Sequence, residues 1–296
     1  MVEVKSSTSV KDYQVEDASI QAYLARACGL PLASVAVATV DSSFIYPGEE
    51  RYAGLLKEND LTEETLKNAS DVAALIPAAR AVATAPEEPH MRTGRHCSSP
   101  YECGFVDYCV SQEARAQFPV EWLPGGGGKA LKEWLANGEL RDMRDVPDAL
   151  LNDRQRLVKK HTIANEPYLD AERAATTLAQ CAFPLHALDF ETIAFAVPIW
   201  PGTRPYESIP FQFSLHTLHQ DGRLEHREFL DLAGENPARR LAEALIRDCR
   251  GVGSILTYTG YEKTQLDALA ARFPDLADAV DSIAVRLFDL HPVAKE

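Results

Sequence analysis

From Pro184 to Asp289 the chain carries a regular succession of hydrophobic patterns. "PLHALDFET" is an apolar run of strand length that ends in two acids. "IPFQFSLHTL" and "LEHREFLDL" alternate apolar and polar residues with the period of two that a half-buried strand requires. Between them "HQDGR" holds Asp221-Gly222, a hairpin turn signal. In "NPARRLAEALIRDCRG", Leu241, Leu245, Ile246 and Cys249 fall along one helical face. "GSILTY" then predicts a short strand, "YEKTQLDALAARF" a helix, and "SIAVRLFDL" another strand. The order β-β-β-α-β-α-β is that of a ribonuclease H-like domain up to its fifth strand. Residues 183–296 are therefore expected to form an α/β domain, a mixed sheet with flanking helices.

Residues 1–121 are patterned differently. "VEDASIQAYLARACGL" sets Ile20, Tyr23, Leu24 and Ala27 at helical spacing, with Gly29 as a stop. "PLASVAVATVDSSFIY" alternates like a strand. "TEETLKNASDVAALIPAARAVA" reads as one helix, with Thr62 at its N-cap and acids in its first turn. Residues 122–182 read as a connector of short helices. It opens with "LPGGGGKALKEWLANGEL", but the phosphate-loop pattern fails there. Ala130 stands where a Ser or Thr would hold Mg²⁺, and Leu123 occupies the upstream glycine position. A turn before a helix accounts for the glycines.

A length of 296 residues suffices for more than one core. Hydrophobic residues make up 46% and charged residues 25%, the balance of a soluble globular protein. No apolar run has bilayer length, and "MVEVKSSTSV" lacks the basic and apolar regions of a signal peptide. A cytoplasmic location without a membrane partner is expected, and the six cysteines are expected as thiols or ligands rather than disulfides. The net charge of −14 argues against coating nucleic acid through a broad basic surface. It leaves room for a nuclease, whose metal site is itself a cluster of carboxylates.

Asp189 and Glu191 lie two apart on the first strand, so both face one side while Phe190 points to the other. Hard cations such as Mg²⁺ and Mn²⁺ take clustered carboxylate oxygens, and two of them ~4 Å apart can promote phosphodiester hydrolysis. Taken alone, the pair also fits a solvated strand end. Glu262, opening the helix after the fourth strand, supplies a further acid. Asp289 closes the fifth strand and either approaches the site or holds a loop, while His291 reads as a surface histidine.

Cys97, Cys103 and Cys109 in "HCSSPYECGFVDYC" are separated by five residues each, wide for a zinc knuckle, and an iron–sulfur cluster needs a fourth thiolate. Cys28, Cys181 and Cys249 read as small core residues. His96 adjoins Cys97 and is an alternative ligand, although adjacent residues rarely converge on one metal. Arg204 and Tyr206 are candidates for substrate contact or for packing.

"LDFETIAFAVPIWPGTRPYESIPFQFSLH" followed by "TYTGYEKTQLDALAARFPD" resembles the ribonuclease H-like exonuclease domain of an uncharacterised bacterial family, a domain of unknown function. There it is fused behind a RecB-type PD-(D/E)xK nuclease module with clustered cysteines. It is similar to the DEDD 3′–5′ exonucleases, whose four acids hold two metal ions. The resemblance implies Asp189 and Glu191 as the first motif and Glu262 as the second, where Asp is usual in the wider superfamily, with the three as metal ligands. The third motif belongs to a helix after the fifth strand, and the sequence stops at Glu296 before it.

"HCSSPYECGFVDYC" resembles the C-terminal cysteine triplet of RecB-type nucleases with a 4Fe–4S cluster. That implies Cys97, Cys103 and Cys109 as three of four ligands, the fourth coming from upstream. These three thiols are expected to bind a cluster weakly or not at all in this chain. "VEVKSS" resembles the Glu-x-Lys end of the PD-(D/E)xK motif and "VEDASIQAYL" its following helix. Glu3 would then bind metal and Lys5 would steady the attacking water or the phosphate. The implied whole is a partial restriction-endonuclease-like α/β module over 1–121, a helical connector over 122–182 and a DEDD-type domain over 183–296, truncated at both ends. The implied activity is Mg²⁺- or Mn²⁺-dependent hydrolysis of single-stranded DNA or RNA. A catalytically inactive remnant, a scaffold for a partner or nucleic acid, and a structural zinc protein are the alternatives.

Overall fold

A computed structural model describes residues 1–113, 115–126, 128–136 and 142–295; Gly127 of the glycine run and Glu296 lie outside them. The chain divides into two compact units, residues 1–77 together with 172–296, and residues 78–171.

The first unit opens with β1 (Val2–Val4), α1 (Asp12–Ala27), β2 (Ala36–Val40) and β3 (Leu56–Asp60). β2 is central, parallel to β1 and antiparallel to β3, and all five of its residues are buried. The expected α1 stripe of Ile20, Tyr23, Leu24 and Ala27 is not the buried one. Gln14, Ala18, Ser19 and Ala22 are buried instead, and Leu24 is exposed. Small side chains let a helix lie close to its neighbour, and the buried polar groups are paired. Gln14 accepts the Lys11 N–H and Ser19 donates to the Val15 carbonyl. The single helix expected from Thr62 is broken at Asn68 into α2 (Thr62–Lys67) and α3 (Ala69–Thr84). Thr62 is already helical rather than the N-cap, and Asp60 Oδ1 accepts both its N–H and its hydroxyl, at 2.8 and 2.6 Å.

The second unit holds α4 (Val106–Gln112), α5 (Lys129–Ala136) and α6 (Asp153–Ala164), with short 3₁₀ turns between them. Val120, Leu131, Met143, Val146 and Leu151 form its small core. Asp142 is buried beside it, and the Arg144 guanidinium donates to both its oxygens at 2.9 Å, which holds the carboxyl far below its usual range. Asn152 and Gln155 form a capping box on α6.

After α7 (Ala171–Leu178) the first unit resumes with β4 (Leu185–Ile193), β5 (Ile209–Leu218) and β6 (Leu224–Leu230). α8 (Ala238–Asp248), β7 (Ile255–Thr257), α9 (Tyr261–Arg272), α10 (Ala277–Ala284), β8 (Leu287–Asp289) and α11 (His291–Lys295) follow. The sheet order is β6-β5-β4-β7-β8. The first three strands pair antiparallel, while β7 runs parallel to β4 and β8 parallel to β7. This is the mixed, ribonuclease H-like α/β sheet that the order of elements predicts.

One expected strand is shorter. In "SIAVRLFDL" the first three residues end α10, and only Leu287–Asp289 pair, because Val280 and Ile283 are buried at helical spacing. Leu188, Phe190 and Phe213 from the sheet pack with Leu241 of α8, Leu266 of α9 and Val280 of α10 in one core. The helices thus take the Leu188–Phe190 face of β4. The face bearing Ala187, Asp189 and Glu191 is exposed.

Two details fix β4 in place. Gly253, at φ +102°, lies so close to Pro184 that a Cβ would meet its carbonyl oxygen at 2.1 Å, so only glycine fits. Buried His186 meets Thr217 Oγ1 through Nδ1 at 2.9 Å and the Val252 carbonyl through Nε2 at 3.2 Å, and burial lowers its pKa.

The β4–β5 loop straps this sheet to the N-terminal one. Tyr46 N–H donates to the Thr203 carbonyl at 2.9 Å and Gly202 N–H to the Tyr46 carbonyl at 2.8 Å. Arg204 donates to the Ser43 carbonyl at 3.2 Å, and the Tyr206 hydroxyl to the Ser6 carbonyl. At its end, Glu207 pairs with Arg272 and Ser208 bonds Gln265, both on α9.

Candidate metal centre

β4 presents its acids by simple alternation. Asp189 and Glu191 are exposed on one face while Leu188 and Phe190 enter the core on the other. Asp189 sits opposite Ser214 and Glu191 opposite Gln212 on β5. Immediately beyond Glu191 the register shifts, Thr192 pairing with Pro210, so β5 carries one extra residue. Proline cannot donate to the ladder, and a bulge is one of the few places a strand tolerates it.

Glu262, the second residue of α9, is buried. Its Oε2 has no hydrogen-bond partner. Burial raises its pKa first, and the charges of Asp189 and Asp289 raise it further, while its own backbone N–H opposes them. Asp189, Glu262 and Asp289 therefore share one electrostatic neighbourhood. Asp289 Oδ1 accepts the N–H groups of Thr259 and His291, each at 2.8 Å. That bond spans the β7–α9 connection, where Thr259 has the left-handed φ of +87°. The first residue of α9 is tied down too, since Tyr261 Oη lies 2.6 Å from Thr192 Oγ1.

No lysine or arginine pairs with Asp189, Glu191, Glu262 or Asp289 among the described residues. Nor, among those residues, do three or more His, Cys, Asp or Glu side chains stand together as a ready metal-holding group. The donor chemistry nonetheless suits a hard divalent cation. Every candidate ligand is a carboxylate oxygen, and Glu262 Oε2 is an acceptor withdrawn from water without a donor.

The N-terminal candidates are arranged otherwise. Lys5 Nζ stands 3.1 Å from Glu3 Oε1 and donates to Asp17 Oδ2 at 2.6 Å. Gln21 of α1 donates to the other Asp17 oxygen at 3.1 Å. The bond to Asp17, then that to Glu3, raises the Lys5 pKa, so the ammonium stays charged. Asp17 is the member of this cluster that sequence patterning missed. The signal was present in "VEDASIQAYL", where Asp17 and Gln21 lie four apart on one helix face. Thr192 and Tyr261, flanking the acids, were missed as well.

Cys97, Cys103 and Cys109 are half-buried free thiols. Cys103 N–H donates to the Cys97 carbonyl at 2.7 Å, and Gly94 N–H approaches Cys97 Sγ at 3.4 Å. Cys249 is buried as a core cysteine should be. Cys28 is exposed at the C-cap of α1, and Cys181 is only half-buried. Arg204 and Tyr206 both spend a donor on the N-terminal segment, at Ser43 and Ser6.

Residues 186–296 match the model of a family described as a domain of unknown function, DUF2779. The match includes Asp189, Glu191, Glu262 and Asp289, and leaves Glu3, Lys5 and the three cysteines outside. No curated protein and no solved structure matches the chain. No described helix is long and apolar enough to cross a membrane.

Proposed function

We propose that the sheet built on β4 is the working part of a metal-dependent nuclease, with Asp189, Glu191 and Glu262 holding Mg²⁺ or Mn²⁺. The observation that carries this reading is the buried Glu262 Oε2, left without a donor among like-charged Asp189 and Asp289. The ionised acid in that position is costly, and a cation that joins it offsets the cost. The bound cations would supply an activated water and stabilise the leaving oxygen of a phosphodiester. Asp189 and Glu191 face the open side of the sheet, where an extended strand has access. Asp289 holds the loop that starts α9 and so sets the place of Glu262. In hydrolysis a water oxygen bonds to phosphorus and the bond from phosphorus to the departing sugar oxygen breaks. The resemblance of residues 188–216 and 257–275 to DEDD exonucleases supports single-stranded DNA or RNA as substrate and 3′–5′ polarity.

The test is Mn²⁺- or Mg²⁺-dependent shortening of an end-labelled single strand, lost in Asp189→Ala and on addition of a chelator. A purified protein that binds no divalent ion and leaves every DNA and RNA strand intact would end the enzyme reading. One observation favours a second reading, that of a non-catalytic scaffold: no ready group of three ligands stands among the described residues. A scaffold would bind a strand without shortening it. For Cys97, Cys103 and Cys109 the expectation of weak or no cluster binding is read by colour and metal content. Brown protein would mean iron–sulfur and colourless protein with stoichiometric zinc a structural zinc site.

A further inference from the structure

Resting on the nuclease reading, we infer that the paired hydroxyls of Thr192 and Tyr261 bind the phosphoryl group of the substrate. Thr192 directly follows Glu191 near the end of β4 and by alternation takes the Phe190 side, against which α9 packs, and Tyr261 directly precedes Glu262 at the start of α9. The two oxygens lie 2.6 Å apart. A pair of hydroxyls at that distance uses one hydrogen between them, and the other hydrogen has to point elsewhere. Neither hydroxyl has another hydrogen-bond partner among the described residues, and Tyr261 is 40% exposed.

The surroundings lack what a phosphate needs. Asp189, Glu191 and Glu262 are acceptors only when ionised. The adjacent cation, Lys263, turns to Asp267 with bonds of 2.7 and 2.9 Å. The hydroxyl pair is a neutral donor that neighbouring acids cannot neutralise, as they would an ammonium. It is also anchored from two elements, so its position is set before a ligand arrives. A non-bridging oxygen of a phosphodiester is the acceptor that fits a spare hydroxyl donor one residue along the chain from Glu191 and from Glu262.

Tyr261→Phe, Thr192→Val and Thr192→Ser test the pair with an end-labelled single strand at saturating Mn²⁺. Manganese affinity is measured in parallel by electron paramagnetic resonance, and folding by thermal melting. Tyr261→Phe is expected to lower kcat by about 100-fold with Mn²⁺ affinity and Tm unchanged. Thr192→Val should do the same, and Thr192→Ser should retain activity. Wild-type kcat in Tyr261→Phe overturns the inference. So does a loss of activity matched by an equal loss of Mn²⁺ binding, which marks a pin for α9 rather than a contact to phosphate. Wild-type protein that neither binds Mn²⁺ nor shortens a strand overturns the nuclease reading itself, and the pair with it. Wild-type protein that does both while Tyr261→Phe works equally well overturns the pair alone.

Discussion

Two pairs of charged residues spaced i and i+2, Glu3 with Lys5 and Asp189 with Glu191, are resolved in opposite ways in this chain. Glu3 and Lys5 lie on and just beyond β1, an edge strand, and Asp17 reaches them from α1. Acid and base neutralise each other there, partly in water. Asp189 and Glu191 lie on β4, the centre of the larger sheet, and the acid that approaches Asp189 is Glu262. Like charges are gathered where no described cation answers them. A compensated cluster is what a fold needs for its own sake. An uncompensated one is a standing cost, which a proton on Glu262, favoured by its raised pKa, or a bound cation removes.

The largest way to break this contrast is by activity. Asp189→Asn should reduce Mn²⁺-dependent strand shortening by roughly 1,000-fold or more, since a lost ligand removes charge that the metal requires. Lys5→Met should leave the same rate within about twofold if the N-terminal cluster takes no part in that reaction. Equal losses in both variants would erase the distinction and assign the two clusters to one reaction.

Stability should divide the clusters by sign. In metal-free buffer Glu262→Gln removes a buried carboxyl whose ionised form is opposed by burial and by the charges of Asp189 and Asp289. A gain of about 1–2 kcal/mol in urea unfolding is expected. Lys5→Met strands Glu3 and Asp17 but leaves them hydrated, their side chains being 30% and 41% exposed, so a loss of at most about 1 kcal/mol is expected. A destabilised Glu262→Gln would show that the buried carboxylate is paired and would sink the comparison.

What the sequence made legible follows from periodicity. Alternation along "LHALDFET" is enough to put Asp189 and Glu191 on the face opposite Phe190, because strand geometry allows nothing else. The order of elements is enough to bring the start of α9 toward β4. Where size and propensity stood in for packing, they misled. Ile20, Tyr23 and Leu24 make the larger apolar stripe on α1, yet the helix buries Ala18 and Ala22. The Lys5–Asp17 pair depends on that choice of face. Ile283, Ala284 and Val285 suit a strand locally, yet Ile283 completes a helical face with Val280. The exposure of Cys28 comes from a helix ending one residue earlier, at Ala27. The Thr192–Tyr261 bond joins residues 69 apart, beyond the reach of any local pattern.

Salt provides the smallest and most discriminating test. Raising KCl from about 0.1 to 1 M shortens the Debye length from ~10 to ~3 Å. The attraction within Glu3, Lys5 and Asp17 is partly exposed, so screening should remove most of the deficit of Lys5→Met, a change of a few tenths of a kcal/mol. The repulsion around Glu262 acts through a buried group and is screened less. The surplus stability of Glu262→Gln should therefore persist with only a small decline. Urea melts of wild type and both variants at the two salt levels read this directly. If the Glu262→Gln surplus collapsed with salt as fully as the Lys5→Met deficit, Glu262 would be as hydrated as Lys5, and the case for a cation beside it would lose its physical basis.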